Sequence, residues 1–184
     1  MTYEMDIAGL KRDLPLCRVT DELYIGAFVM FGDVELTVHC AAELLKRAPE
    51  YDYLIAPEAK AIPLLYEMAR QSGAEKYFLA RKGAKAYMTG VFEVEVRSIT
   101  TMHIQKLVID TADAELIKGK KILIVDDVIS PGESLHAMEE LVKRAGGIIA
   151  GKMAVLAEGD AKDRDDIITL APLPLFNADG TVKA

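Results

Sequence analysis

The sequence predicts an α/β fold with a mainly parallel central sheet and helices on both faces. Three observations carry that expectation. Strand-length apolar runs at Tyr53–Ala56, Lys76–Ala80, Ile122–Val125 and Ile148–Leu156 are interleaved with helical patterns. Two of these runs lead through a short loop straight into a helix, as crossover connections do. The composition, 51% hydrophobic and 28% charged over 184 residues, suits one soluble domain with a sizeable core. Residues 1–33 stand mostly outside the sheet, 34–176 form the core, and 177–184 read as a tail.

Taken in order, Met1–Gly32 is the least regular segment. Leu14-Pro15-Leu16 breaks any helix there, and Leu23–Phe31 reads as a strand. A helix is expected over Val34–Ala48, with Val38, Ala41, Ala42 and Leu45 on its buried face and Pro49 beyond its end. Strand Tyr53–Ala56 is followed by the loop Pro57–Ala61 and a helix to about Gln71. Open α/β sheets bind ligands beyond the carboxyl ends of their strands, which puts Lys60 in position to meet a diphosphate. After Lys76–Ala80 come Arg81, Lys82 and Lys85, three cations within five residues. Alone such a cluster is a wet surface; beside a phosphate loop it suits a leaving diphosphate. Phe92, Val94 and Val96 alternate with Glu93, Glu95 and Arg97, so a half-exposed strand is expected, with a tip at Ser98–Thr101 and a return over Met102–Ile109. Ile148–Leu156 is a further strand and Asp160–Asp166 a charged loop. Ile167–Leu170 and Leu173–Phe176 read as one edge strand interrupted by Pro172 and Pro174, and Asn177–Ala184 as a frayed tail.

The most informative stretch is Lys121–Ser134. An apolar run ends in Asp126 and Asp127; a loop of small residues follows, and a helical pattern starts at Ser134. Leu135, Met138, Leu141, Val142 and Ala145 share one helical face, with Lys143 and Arg144 in the last turn and Gly146-Gly147 as the stop. A loop opening onto a helix N-terminus presents backbone N–H groups to a phosphate, and paired aspartates suit Mg²⁺ or two sugar hydroxyls. A bare Asp-Asp would be a pair of solvated acids and Ser134 an N-cap; the whole ordered stretch favours a phosphorylated sugar.

This order of elements resembles the phosphoribosyl-pyrophosphate (PRPP) motif of type I phosphoribosyltransferases, closest to adenine phosphoribosyltransferase and related purine-salvage enzymes. The likeness runs more thinly over about residues 9–176. It implies the type I fold, with a small N-terminal hood, lined or supported by Leu14–Val19 and Tyr24–Phe28, and a flexible β-hairpin over the reacting centre. It implies transfer of phosphoribose from PRPP to a purine base, adenine favoured, giving a nucleoside monophosphate and pyrophosphate. The implied catalytic set is Asp126, Asp127, Lys60 and Arg81. Ser130, Gly132, Glu133 and Ser134 would hold the 5′-phosphate, and Ala59, Lys60, Arg81, Lys82 and Lys85 the pyrophosphate. Mg²⁺ would arrive with PRPP, with Asp126 and Asp127 as its candidate protein ligands, in a cytoplasmic homodimer.

Three residues depart from the family pattern. Pro131 stands where threonine is usual and removes a hydroxyl and an N–H from the phosphate loop. Lys60 replaces an arginine and loses its bidentate fork. Val108 stands at the place of a glutamate on the returning strand. A non-catalytic PRPP- or nucleotide-binding regulator of the same fold therefore stays open, as do xanthine and hypoxanthine as bases, and so does an unrelated phosphosugar-binding α/β protein. The net charge of −7 argues against nucleic acid as the partner. No apolar run is long enough for a membrane span and no signal-peptide pattern is expected. Cys17 and Cys40 lack metal spacing and are expected as reduced thiols; His39, His103 and His136 are scattered.

Overall fold

The computed structural model describes residues 1–97, 104–130 and 133–183. Its core is a five-stranded parallel sheet in the order β10-β9-β8-β4-β5, formed by Ile168–Leu173, Ile148–Glu158, Lys121–Ile129, Tyr53–Pro57 and Phe78–Ala80. Helices α1 (Val34–Leu45) and α2 (Ile62–Ser72) cover one face. The other carries α3 (Thr111–Ile117), α4 (Glu133–Arg144) and the antiparallel hairpin β6 (Val91–Arg97) and β7 (Ile104–Asp110). Side chains alternate across the central strand: Leu123 and Val125 join the α1–α2 side, Ile122 and Ile124 the α4 side.

The chain runs from β4 outward to β5, then returns to β8 and continues outward through β9 and β10. The sheet order therefore reverses between β4 and β8, the switch point at which such sheets open a crevice. Pairing between these two strands ends at Ile55–Ile124, whereas β8 stays paired to β9 as far as Ile129–Ala157. The two strands part beyond that point.

A second sheet, in the order β1-β2-β3-β11, is built from Thr2–Ile7, Leu10–Arg18, Tyr24–Gly26 and Leu175–Phe176. The segment expected to be irregular is thus mostly a hairpin. Its β1 residues bury with a period of two, and Ala8 and Gly9 make the turn at φ 54° and 81°. Pro15 is accommodated because it lies opposite Thr2 at the end of the ladder.

Other expectations shift. The strand foreseen over Leu23–Phe31 is only Tyr24–Gly26. The buried face of α1 is Leu36, Thr37, Cys40, Ala41 and Leu44, one position away from the expected stripe, because the helix meets both the sheet and α2. Helix α3, capped by Asp110 onto Ala112 N–H, was not foreseen; two turns give little periodicity to read. The proposed final edge strand splits at Pro174: β10 is the edge of the parallel sheet and runs through Pro172, while β11 joins the second sheet. The tail folds back, with Lys183 N–H bonded to Leu175 O and Val182 bridged to Phe176. The expected tip at Ser98–Thr101 and the proline at 131 lie outside the described residues.

Candidate functional site

The carboxyl ends of the parallel strands and the second sheet enclose a cavity of about 890 Å³. Its floor holds Asp126 and Asp127. Strand β8 does not stop at these acids, as the sequence suggested, but carries them inside its length, because β9 continues to supply hydrogen bonds past them. Asp127 is 3% exposed. Lys60 Nζ, reaching in from the β4–α2 loop, stands 2.9 Å from Asp127 Oδ2. That distance makes an ion pair, yet the ammonium lies out of line for a hydrogen bond, so the buried oxygen has no aligned donor among the described residues. Asp126 Oδ1 accepts the Asp127 N–H at 2.9 Å. Asp126 keeps some surface on the cavity, but dense packing around its carboxyl and the adjacent Asp127 charge both raise its pKa above the ordinary aspartate value.

The β4–α2 loop is tied to the strand beside it. Glu58 accepts the Lys82 N–H at 2.7 Å and the Arg81 guanidinium at 3.0 Å, and these donors hold its pKa below the usual range. Ala59, Lys60 and Lys82 line the cavity. Arg81 does not; it is engaged by Glu58 and lies 5.7 Å from the centre of the Tyr87 ring. Lys85 is exposed and off the cavity wall. Ser130 and Ser134 both line the cavity, and Glu133 is the first residue of α4. Gly132 lies outside the described residues.

The opposite walls come from the second sheet and the hairpin. Of the second-sheet segments named from the sequence, Cys17 and Ile25 to Phe28 reach the cavity, while Leu14 is buried in the core and Val19 is exposed elsewhere. Gly26 sits where a Cβ would come within 3.2 Å of Leu173 Cδ1, so a side chain there would press on the seam between the sheets. Gln105 and Lys106 of β7 line the hairpin side, and Gln105 Nε2 reaches Ser134 Oγ at 3.5 Å. Val108 is fully buried and its backbone pairs with Arg81 in both directions. The carboxylates of the outgoing strand do not stand in for one at 108: Glu93 is ion-paired to Lys106, and neither Glu93 nor Glu95 lines the cavity.

Glu158, at the end of β9, also faces the cavity and was not singled out from the sequence. Its signal was the same strand-end position that marked Lys60 and the aspartates. Cys17 and Cys40 are both free thiols. Among the described residues no cluster of three His, Cys, Asp or Glu is arranged to hold a metal by itself, and no helix is long and apolar enough to cross a membrane.

Residues 37–171 match the family model described as the phosphoribosyl transferase domain. The chain belongs to this family. Among its phosphoribosyltransferase relatives, the adenine phosphoribosyltransferase of Petrotoga mobilis is 30% identical over 163 residues, covering 84% of this chain and 88% of that protein. The adenine phosphoribosyltransferase of Thermotoga sp. (strain RQ2) is 34% identical over 110 residues, which are 59% of this chain and 60% of that relative's length. A crystal structure of adenine phosphoribosyltransferase from Thermoanaerobacter pseudethanolicus superposes with a TM-score of 0.63 at 23% identity, over 76% of this chain and 82% of that one. The fold is the type I phosphoribosyltransferase fold.

Proposed function

We propose that this protein is a purine phosphoribosyltransferase, which transfers phosphoribose from PRPP to a purine base, adenine favoured, and releases pyrophosphate. The observation that carries this reading is the acid pair on the crevice floor, facing a lysine from the neighbouring strand's loop, beneath a second sheet that closes the cavity. The names of the Petrotoga and Thermotoga relatives support the reaction and the base.

In this reading Asp126 and Asp127 accept hydrogen bonds from the two ribose hydroxyls and fix the ring. Ser130, Ser134 and the backbone at the start of α4 hold the 5′-phosphate, where the helix dipole and free N–H groups favour an anion. Lys60 and Lys82, with Ala59 beside them, receive the diphosphate. Arg81 serves the same loop through Glu58, and Lys85 adds charge from outside the wall. The carbon under attack becomes oxocarbenium-like, so the protein's main work is to stabilise charge on the departing diphosphate. Mg²⁺ entering with PRPP would neutralise part of that charge; a cation that keeps several waters and takes one or two carboxylates fits Asp126 and Asp127. The second sheet acts as a hood over the base, and the hairpin, packed on α4 through Val94, Val96 and Leu107, bounds the cavity against water. We propose a cytoplasmic homodimer as the working state.

One observation favours a second reading, a non-catalytic PRPP-binding regulator: buried Val108 puts no carboxylate at the place where the family pattern carries a glutamate on the returning strand. Titration with PRPP and Mg²⁺, followed by pyrophosphate release with adenine, hypoxanthine, xanthine and guanine offered singly, separates the two. Release with adenine supports the transferase. Binding without release from any base supports the regulator. No binding overturns both.

A further inference from the structure

Among the described residues, four carboxylates line the cavity: Glu58, Asp126, Asp127 and Glu158. Three are committed. Glu58 holds Arg81 and the Lys82 backbone, Asp127 faces Lys60, and Asp126 is bonded to the Asp127 N–H. Glu158 precedes the 3-10 turn Gly159–Asp163, but its side chain makes no capping bond to it and has no hydrogen-bond or ion-pair partner among the described residues.

Its place in the fold is specific. Glu158 stands one step past the Ile129–Ala157 pair and in register with Leu173 of β10. Leu173 touches the hood at Gly26, so Glu158 lies at the seam between the parallel sheet and the hood. The apolar hood residues Ile25 and Phe28 line the same cavity. Val108, buried on β7 and off the cavity wall, offers no acid. The charged and titratable groups sharing the cavity are Lys60 and Glu58 from the β4–α2 loop, Asp126 and Asp127 from β8, Cys17 from the hood, and Lys82 and Lys106 on the far side.

On the transferase reading above, we infer that Glu158 is the proton acceptor for the purine. The ring nitrogen forms its bond to C1′ as the C1′–O bond breaks, and the electron pair of that bond leaves with pyrophosphate. The N–H proton of the incoming base passes to a Glu158 carboxylate oxygen and is later lost to water. Burial raises the Glu158 pKa above the ordinary glutamate value, partly opposed by Lys60, which makes its carboxylate a stronger base than an exposed one.

The test compares wild type, Glu158→Gln and Glu158→Asp as full chains, measuring pyrophosphate release with PRPP, Mg²⁺ and adenine across pH. Thermal melts and PRPP titration show that each variant is folded and binds the sugar. Glu158→Gln is expected to lower kcat by about 100-fold or more while KM for adenine changes little. The acid limb of the kcat profile should vanish with glutamine and return with aspartate. The inference is overturned if Glu158→Gln keeps kcat and the acid limb, or loses activity only through KM. A wild type that releases no pyrophosphate from any purine overturns the transferase reading as well. An active wild type with an unaffected Glu158→Gln overturns the role of Glu158 alone.

Discussion

At the scale of single residues, the site turns on Lys60. A lysine presents a compact charge where a guanidinium would present two parallel donors. Here its ammonium sits beside a buried carboxylate oxygen that has no aligned donor among the described residues, so it is a local counter-charge as well as a reaching group. Replacing it with methionine leaves Asp127 without that cation and removes a charge-assisted contact of about 1.5–3 kcal/mol to the diphosphate. Lys60→Met should therefore raise the PRPP dissociation constant by about 10- to 100-fold in a calorimetric titration. Lys60→Arg should bind at least as tightly as wild type, and an arginine variant that binds no better than methionine would refute the contact. Lys60, Asp126 and Asp127 were legible because each follows an apolar run at a strand's carboxyl end. Glu158 obeys the same rule, but β9 runs two residues beyond Leu156, where the strand expected from the sequence ends. The engagement of Arg81 was not legible, because its partner Glu58 is 23 positions away and only the pairing of β4 with β5 brings them together.

At the scale of elements, the parallel strands could be read and the second sheet could not. Buried parallel strands are continuous apolar runs, visible without partners. The second sheet draws β11 from the far end of the chain, and no local pattern announces that pairing. What fastens this sheet to the core is an element terminus. Asp33 caps α1 by accepting the Leu36 N–H at 3.0 Å, and it also accepts Arg12 Nε of β2 at 2.7 Å. The hydrogen bond from Arg12 lowers the Asp33 pKa below its ordinary value. A folded pKa below the unfolded one means that this stability is present above the ordinary carboxylate range and is lost as pH falls through the lowered folded value. Asp33→Ala removes cap and ion pair together and should destabilise by about 1–2 kcal/mol, whereas Asp33→Asn keeps the cap. Denaturant melts should show Asp33→Asn less destabilised than Asp33→Ala, with the gap between wild type and Asp33→Asn closing on acidification. An unchanged gap at low pH would mean that the Arg12 pair contributes nothing.

At the scale of the whole molecule, the question is whether hood and core fold as one unit, because the cavity exists only between them. Their apolar interiors are continuous: Met5, Ile7 and Leu14 of the hood share a cluster with Leu44 and Leu65 of the helices and Val155 of the central sheet. The chain also crosses between the sheets at Leu173-Pro174-Leu175, so the edge of one leads directly into the edge of the other. Phe176 secures this crossing. It is fully buried, its ring centre lies 4.9 Å from that of Tyr3, and its backbone pairs with Tyr24. Phe176→Ala removes a large, fully buried aromatic, at about 3–5 kcal/mol. If the two sheets are one cooperative unit, calorimetry should show a single transition lowered on the order of 10 °C. Two separated transitions would mean that the hood unfolds by itself. The same variant distinguishes the two halves of the site. The groups proposed for PRPP stand on the parallel sheet and its loops, whereas the surface proposed for the base belongs to the hood. Below its melting temperature, Phe176→Ala should raise KM for adenine while leaving the PRPP dissociation constant near that of wild type. Equal losses for both ligands would place the base elsewhere in the crevice and remove the hood from the mechanism.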